Sequence, residues 1–170
     1  MALTRWSQPW RDRPSEQAAL FNPAFCGELI SRTVAAYDVG RGGPLPFALA
    51  FLVLPLALHP GARAALPVRS DTTFATWAAE HGAMLAELPD RVMALRPITR
   101  EALLFLTQHS ALTVTGRGVG LGSRALKLTP KPAITTDDAQ AARRTAGFIG
   151  RWLANQASTA FVLQTLGVRP

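Results

Sequence analysis

The residues with which this chain could do acid–base, nucleophilic or metal chemistry are few and scattered. They are three histidines (His59, His81, His109), one cysteine (Cys26) and eleven carboxylates in 170 residues. A metal site needs converging ligands, and no histidine has a ligand-type partner three or four residues on. Each histidine therefore reads as structural, with His109 near a helix C-terminus. A single thiol forms neither an internal disulfide nor a Cys-rich zinc site, so Cys26 reads as a small buried hydrophobe in a reducing, cytoplasmic setting. The one adjacent acidic pair, Asp137-Asp138, falls at a helix start, where capping accounts for it. No G-x-S-x-G nucleophile motif occurs. The glycines at 116, 118, 120 and 122 do not match G-x-G-x-x-G, and no G-K-[ST] follows them. The expectation is a chain without catalytic set, metal or cofactor. An enzyme would need polar residues that converge in a pocket only on folding.

Nucleic-acid binding is the other chemistry to weigh. The chain carries +7 formal charge, from 16 arginines and two lysines against eleven acids. Alanine and leucine abound and lysine is rare, so part of the arginine excess reflects coding bias. No run of five like charges exists. Candidate DNA contacts are Arg100, Arg117, Arg124, Lys127 and Lys131.

The elements that must position these residues are mostly helical. At 48% hydrophobic and 17% charged, the chain is long and apolar enough for a real core in one domain. Residues 1–20 read as an arm, with Trp6 and Trp10 free to pack down or to reach a partner. Met1 to Pro14 has no apolar run, so it is not a secretory signal. Asn22-Pro23 starts a helix to about Tyr37, with Phe25, Leu29, Val34 and Tyr37 on one stripe and Glu28 facing Arg32. Leu45 to Leu58 falls short of the ~20 residues a membrane span needs. Pro46 to Leu54 is expected as a short helix buried all round, broken by Pro55. A helix capped by Asp71 or Thr72 should run to about Leu85, with a second from Leu88 to Arg96 that turns Val92, Met93 and Leu95 inward. A third should run from Ile98 to His109, the break falling at Pro97. Leu112–Thr115 and Arg124–Leu128 alternate like strands around a glycine-rich connection. Thr135 or Thr136 caps a helix to about Ala154, with Arg143, Arg144 and Arg151 on or near its outer face. Ser158 starts a last helix that Gly167 stops.

Helices followed at once by a hairpin give the fold expectation: mostly α with a small β-hairpin, a winged-helix-like α+β domain with added N- and C-terminal helices. The winged part is placed at about 71–128 and the C-terminal helices at about 136–167, within one domain over 21–170. Residues 97 to 110 would occupy the recognition-helix position. They are mostly apolar, whereas a reading helix exposes polar side chains to base edges. That favours a winged helix turned to protein binding.

Several segments then fall in a familiar order. They are Asn22-Pro23-Ala24, the stretch from Pro44 to His59, Leu95-Arg96-Pro97-Ile98-Thr99-Arg100-Glu101-Ala102-Leu103-Leu104-Phe105, Gly150-Arg151-Trp152 and Leu166-Gly167-Val168-Arg169-Pro170. Together, over roughly residues 20–170, they resemble the middle component of bacterial three-component ABC ATPase systems, related in organisation to Lamassu-type defence systems. The resemblance implies a non-enzymatic adaptor. It would join an SMC-like ABC ATPase to an effector subunit in anti-phage or anti-plasmid conflict, touching DNA only indirectly or weakly. No membrane is implied, and a homodimer is compatible with this kind of module. Arginine and tryptophan are common interface anchors, which makes Trp6, Trp10, Arg96, Arg100, Arg151, Trp152 and Arg169 the candidate partner-binding residues. The alternative is a free-standing winged-helix DNA-binding regulator.

Overall fold

Asn22 opens the first long helix as expected. Its side chain accepts from the Ala24 amide at 2.8 Å, and Pro23 stands at the first helical position, where no amide is needed. The computed structural model describes residues 9–130 and 132–167. Trp6, Lys131, Arg169 and the side chain of Trp10 lie outside the described residues. A short 3₁₀ turn, Trp10–Asp12, leads to α1 (Ser15–Leu20), α2 (Pro23–Arg41), α3 (Phe47–Leu58), α4 (Pro60–Ala65), α5 (Phe74–Glu80) and α6 (Gly82–Gln108). Then come β1 (Leu112–Thr115), β2 (Gly118–Leu121), α7 (Asp137–Ala154) and α8 (Thr159–Thr165). The protein is mostly helical, with one two-stranded antiparallel hairpin.

α3 is the centre. Leu49, Ala50 and everything from Leu52 to Ala57 are buried, because α2, α6 and α7 pack around it. Pro55 does not break it, contrary to the expectation. The missing amide leaves one carbonyl without its helical partner, but contacts on every side outweigh that loss. Among the described residues, no helix is long and apolar enough to cross a membrane.

The α2–α7 seam is the most extensive helix pair. It is close because Gly150 lies on it: a Cβ there would come within 2.3 Å of the Thr33 carbonyl oxygen. Thr33 Oγ1 also donates across the seam to the Ala146 carbonyl at 2.8 Å. α2 runs on to Arg41, past the expected end at Tyr37. Gly42 stops it in the left-handed conformation (φ +73°), its amide donating to Asp38 at 2.7 Å.

α6 is the largest departure. Two helices separated at Pro97 were expected; one helix of 27 residues runs through both Pro89 and Pro97. Its buried stripe, Leu88, Val92, Thr99, Ala102 and Leu106, keeps helical spacing across Pro97. Burial against α2 and α3 thus offsets the roughly 3 kcal/mol that an interior proline costs. Met93 points away from this stripe and is half exposed, not inward as expected. α5 is capped by Thr73 instead of Asp71 or Thr72 and ends at Glu80, short of Leu85. Asp71 is occupied by Arg69.

The hairpin is tighter than expected. β2 is Gly118–Leu121, paired Val114↔Val119 across a two-residue turn at Gly116-Arg117, and Arg124–Leu128 is an exposed connection, not a strand. Gly118 carries φ +133°, and a Cβ there would lie 2.2 Å from the Leu45 carbonyl oxygen. The middle of the glycine run, Gly118–Leu121, is thus a strand, and Leu45 pairs antiparallel with it at Val119 through two reciprocal hydrogen bonds of 2.9 and 2.8 Å. At the far end Thr136 caps α7 and Ser158 caps α8, both as expected.

Candidate partner-docking face

The burial of α6 on one side dictates what its other side presents. Opposite the buried stripe, Met93, Pro97, Arg100 and Leu104 recur at helical spacing, with Arg96 beside them. Met93 is 49% exposed and Leu104 61% exposed. A solvated helix face normally carries polar residues there. This ridge is flanked by two open troughs of about 760 and 520 Å³, both lined by Arg100 and Leu104. Pro23 and Phe105 help to line the first trough. The second is closed by Phe47 and Val114, each nearly half exposed. Phe47 is held edge-on against Phe51, with ring centroids 5.3 Å apart.

Arg96 and Arg100 are exposed and make no ion pair or hydrogen bond among the described residues. The one carboxylate in the troughs, Glu101, is engaged. Expected in the first turn of a helix, it lies within α6 and accepts from the buried Arg13 guanidinium at 2.6 Å. That pair ties the segment before α1 to the edge of the face.

The other sequence-predicted residues are dispersed. Arg151 is exposed on α7 and lines troughs with Leu128 and with Val68, away from the α6 ridge. Trp152 is wholly buried. Its indole N–H donates to the Thr72 carbonyl at 2.8 Å, and its ring packs against Phe74 and Trp77 at 5.1 and 4.9 Å. It packs the core and offers no surface to a partner. Arg117 stands at the hairpin tip, with Arg124 and Lys127 on the exposed connection after it.

Arg143 was expected near the outer face; it is largely buried instead. It grips Glu28 with two hydrogen bonds, 2.8 and 3.1 Å, while Arg32 holds the same carboxylate at 2.8 and 3.0 Å. Burial would push the Glu28 carboxyl up, but the Arg143 and Arg32 hydrogen bonds hold it below the usual range. Burial pushes the Cys26 thiol up to about 12, and the nearby Glu101 charge adds to this. The histidines bond to the backbone: His59 caps α4, and His81 and His109 each meet the carbonyl four residues back.

The apolar half of the face, Met93, Leu104, Phe47 and Val114, was not among the candidates. The signal for Met93 and Leu104 was present in the 3.6-residue spacing, hidden by dividing α6 at Pro97. Phe47 and Val114 join them only through the tertiary fold. Compared with known proteins, residues 10–170 match the family described as ABC-three component (ABC-3C) system Middle Component 3. No curated protein and no solved structure matches the chain.

Proposed function

The chain belongs to the family of ABC-3C system Middle Component 3, and from that premise we propose that it is a non-enzymatic adaptor of the cytoplasm. It links an SMC-like ABC ATPase to an effector subunit in a bacterial anti-phage or anti-plasmid system. The observation that carries this reading is the α6 face, where half-exposed Met93 and Leu104 stand beside Arg96 and Arg100, which have no ion-pair partner among the described residues. Exposed apolar side chains interleaved with arginine suit a protein interface. Arg151, with Trp6, Arg169 and the side chain of Trp10 outside the described residues, supplies further anchors.

The exposed bases of the hairpin and its following connection, Arg117, Arg124 and Lys127, favour a second reading, a winged-helix DNA-binding regulator. Co-expression with the proteins encoded beside this chain, and purification on a tag placed on it, separates the two. The adaptor reading expects a stoichiometric ABC ATPase in the eluate. The regulator reading expects the chain alone, binding DNA with an affinity that falls steeply as salt rises. Recovery of the chain alone would overturn the adaptor reading.

A further inference from the structure

We propose that the α6 ridge from Met93 to Leu104 docks an acidic amphipathic helix supplied by the partner subunit, an inference that rests on the adaptor reading. The ridge has an apolar knob at each end and two cations between them. The complementary surface is a helix with apolar residues one to three turns apart and carboxylates between them, which Arg96 and Arg100 would meet. Charge decides the occupant. Neither arginine has a counter-ion among the described residues, and the only acid in the troughs is already held by Arg13. A second copy of this chain would bring like charges together across a two-fold axis, in a molecule of net charge +7. Nucleic acid would satisfy the arginines but leave Met93 and Leu104 facing phosphates.

Length decides the conformation. The ridge from Met93 to Leu104 extends along α6 for roughly 16 Å at 1.5 Å per residue, enough to lie against about three helical turns. The nearby strand edge is short: β1 has four residues, and its partner β2 is itself covered by Leu45. A strand added there would bury little of the ridge.

The test uses the full chain, co-expressed with its neighbouring subunits. Leu104 is replaced by the photo-crosslinking p-benzoylphenylalanine, and the adduct is sequenced. Alongside it, R96E/R100E and L104D are purified on the tag, with urea midpoints measured to confirm that each is folded. The expected result is an adduct to a helix of the ATPase or effector bearing acidic and apolar residues at helical spacing. R96E/R100E should lower recovery of that subunit by ~10-fold or more, L104D should act similarly, and reversing the partner's carboxylates to lysine should restore binding to R96E/R100E. If wild type recovers the partner but the adduct lies elsewhere, or the variants bind as wild type does, the ridge is not the docking face and the adaptor reading stands. An adduct to a second copy, or to a segment without acids, overturns the inference in the same way. No recovered partner and no adduct overturns both.

Discussion

Replacing Glu28 by glutamine keeps the shape of the side chain and removes the one negative charge between two arginines. The Arg143 and Arg32 side chains are only 11–12% exposed, and that of Glu28 is 21% exposed. Water therefore compensates little. In E28Q the two guanidiniums repel, and the amide nitrogen presents donors where acceptors are needed. Thr135 Oγ1 still accepts from Arg143, and the Thr129 carbonyl from Arg32. Losing a partner from a fully buried pair costs about 3–5 kcal/mol. With partial exposure and those surviving bonds, about 2–3 kcal/mol at pH 7 is expected. In a chain of this length that corresponds to a fall in Tm of roughly 5–10 °C. The pH dependence follows from the depressed carboxyl. Its contribution is fully present above the unfolded value of about 4.3 and is lost as pH falls through the lower folded value. Urea unfolding of wild type and E28Q, followed by tryptophan fluorescence at pH 7 and at about pH 3, reads both effects. The difference should be largest at pH 7 and shrink in acid. A penalty under about 0.5 kcal/mol at pH 7 would refute the reasoning, since that is what a solvated pair yields. So would a penalty that persists unchanged in acid, because it would then come from packing.

Trp152→Phe keeps most of the ring contact but removes the donor to the Thr72 carbonyl, so it should cost about 1–2 kcal/mol. Trp152→Ala should cost about 3–5 kcal/mol; urea midpoints separate the two. Gly150→Ala should destabilise by about 1–3 kcal/mol or more, because its Cβ would meet the Thr33 carbonyl. The control is Gly43→Ala, which has open space and no positive φ and should shift Tm by little. Cys26, with its thiol pushed up to about 12, should resist thiol reagents at pH 8 in the folded protein and react at once in urea; modification without unfolding would contradict its burial. Thr136→Ala removes the acceptor for the Ala139 amide and should cost about 1 kcal/mol by the same urea assay.

Local chemistry settled the starts of α2, α7 and α8. Asn22 before Pro23, Thr136 before an acidic pair and Ser158 before an apolar turn each satisfy amides that no other arrangement reaches so cheaply, and each caps the helix expected of it. Ala142, Ala146, Ile149 and Leu153 recur at amphipathic spacing along α7, and all four are buried. The Glu28–Arg32 pair, four residues apart on one helix, was legible for the same reason. The third member was not. Arg143 is 115 residues away in sequence, and only the α2–α7 seam brings it to that carboxylate.

The prolines and glycines show where local rules stop. Proline weakens a helix by a fixed local amount, but whether the helix breaks depends on what it buries. Pro55 and Pro97 lie in helices that other helices hold in place. A glycine run reads as a connection until another backbone pairs with it, and here β1 on one edge and Leu45 on the other hold Gly118–Leu121 as a strand. The α6 face has both origins. The spacing of Met93, Pro97, Arg100 and Leu104 belongs to the sequence. Which side of that helix faced water, and that Phe47 and Val114 would stand beside it, was fixed by the packing of α2 and α3 against the other side, since burial is a property of neighbours and not of residues.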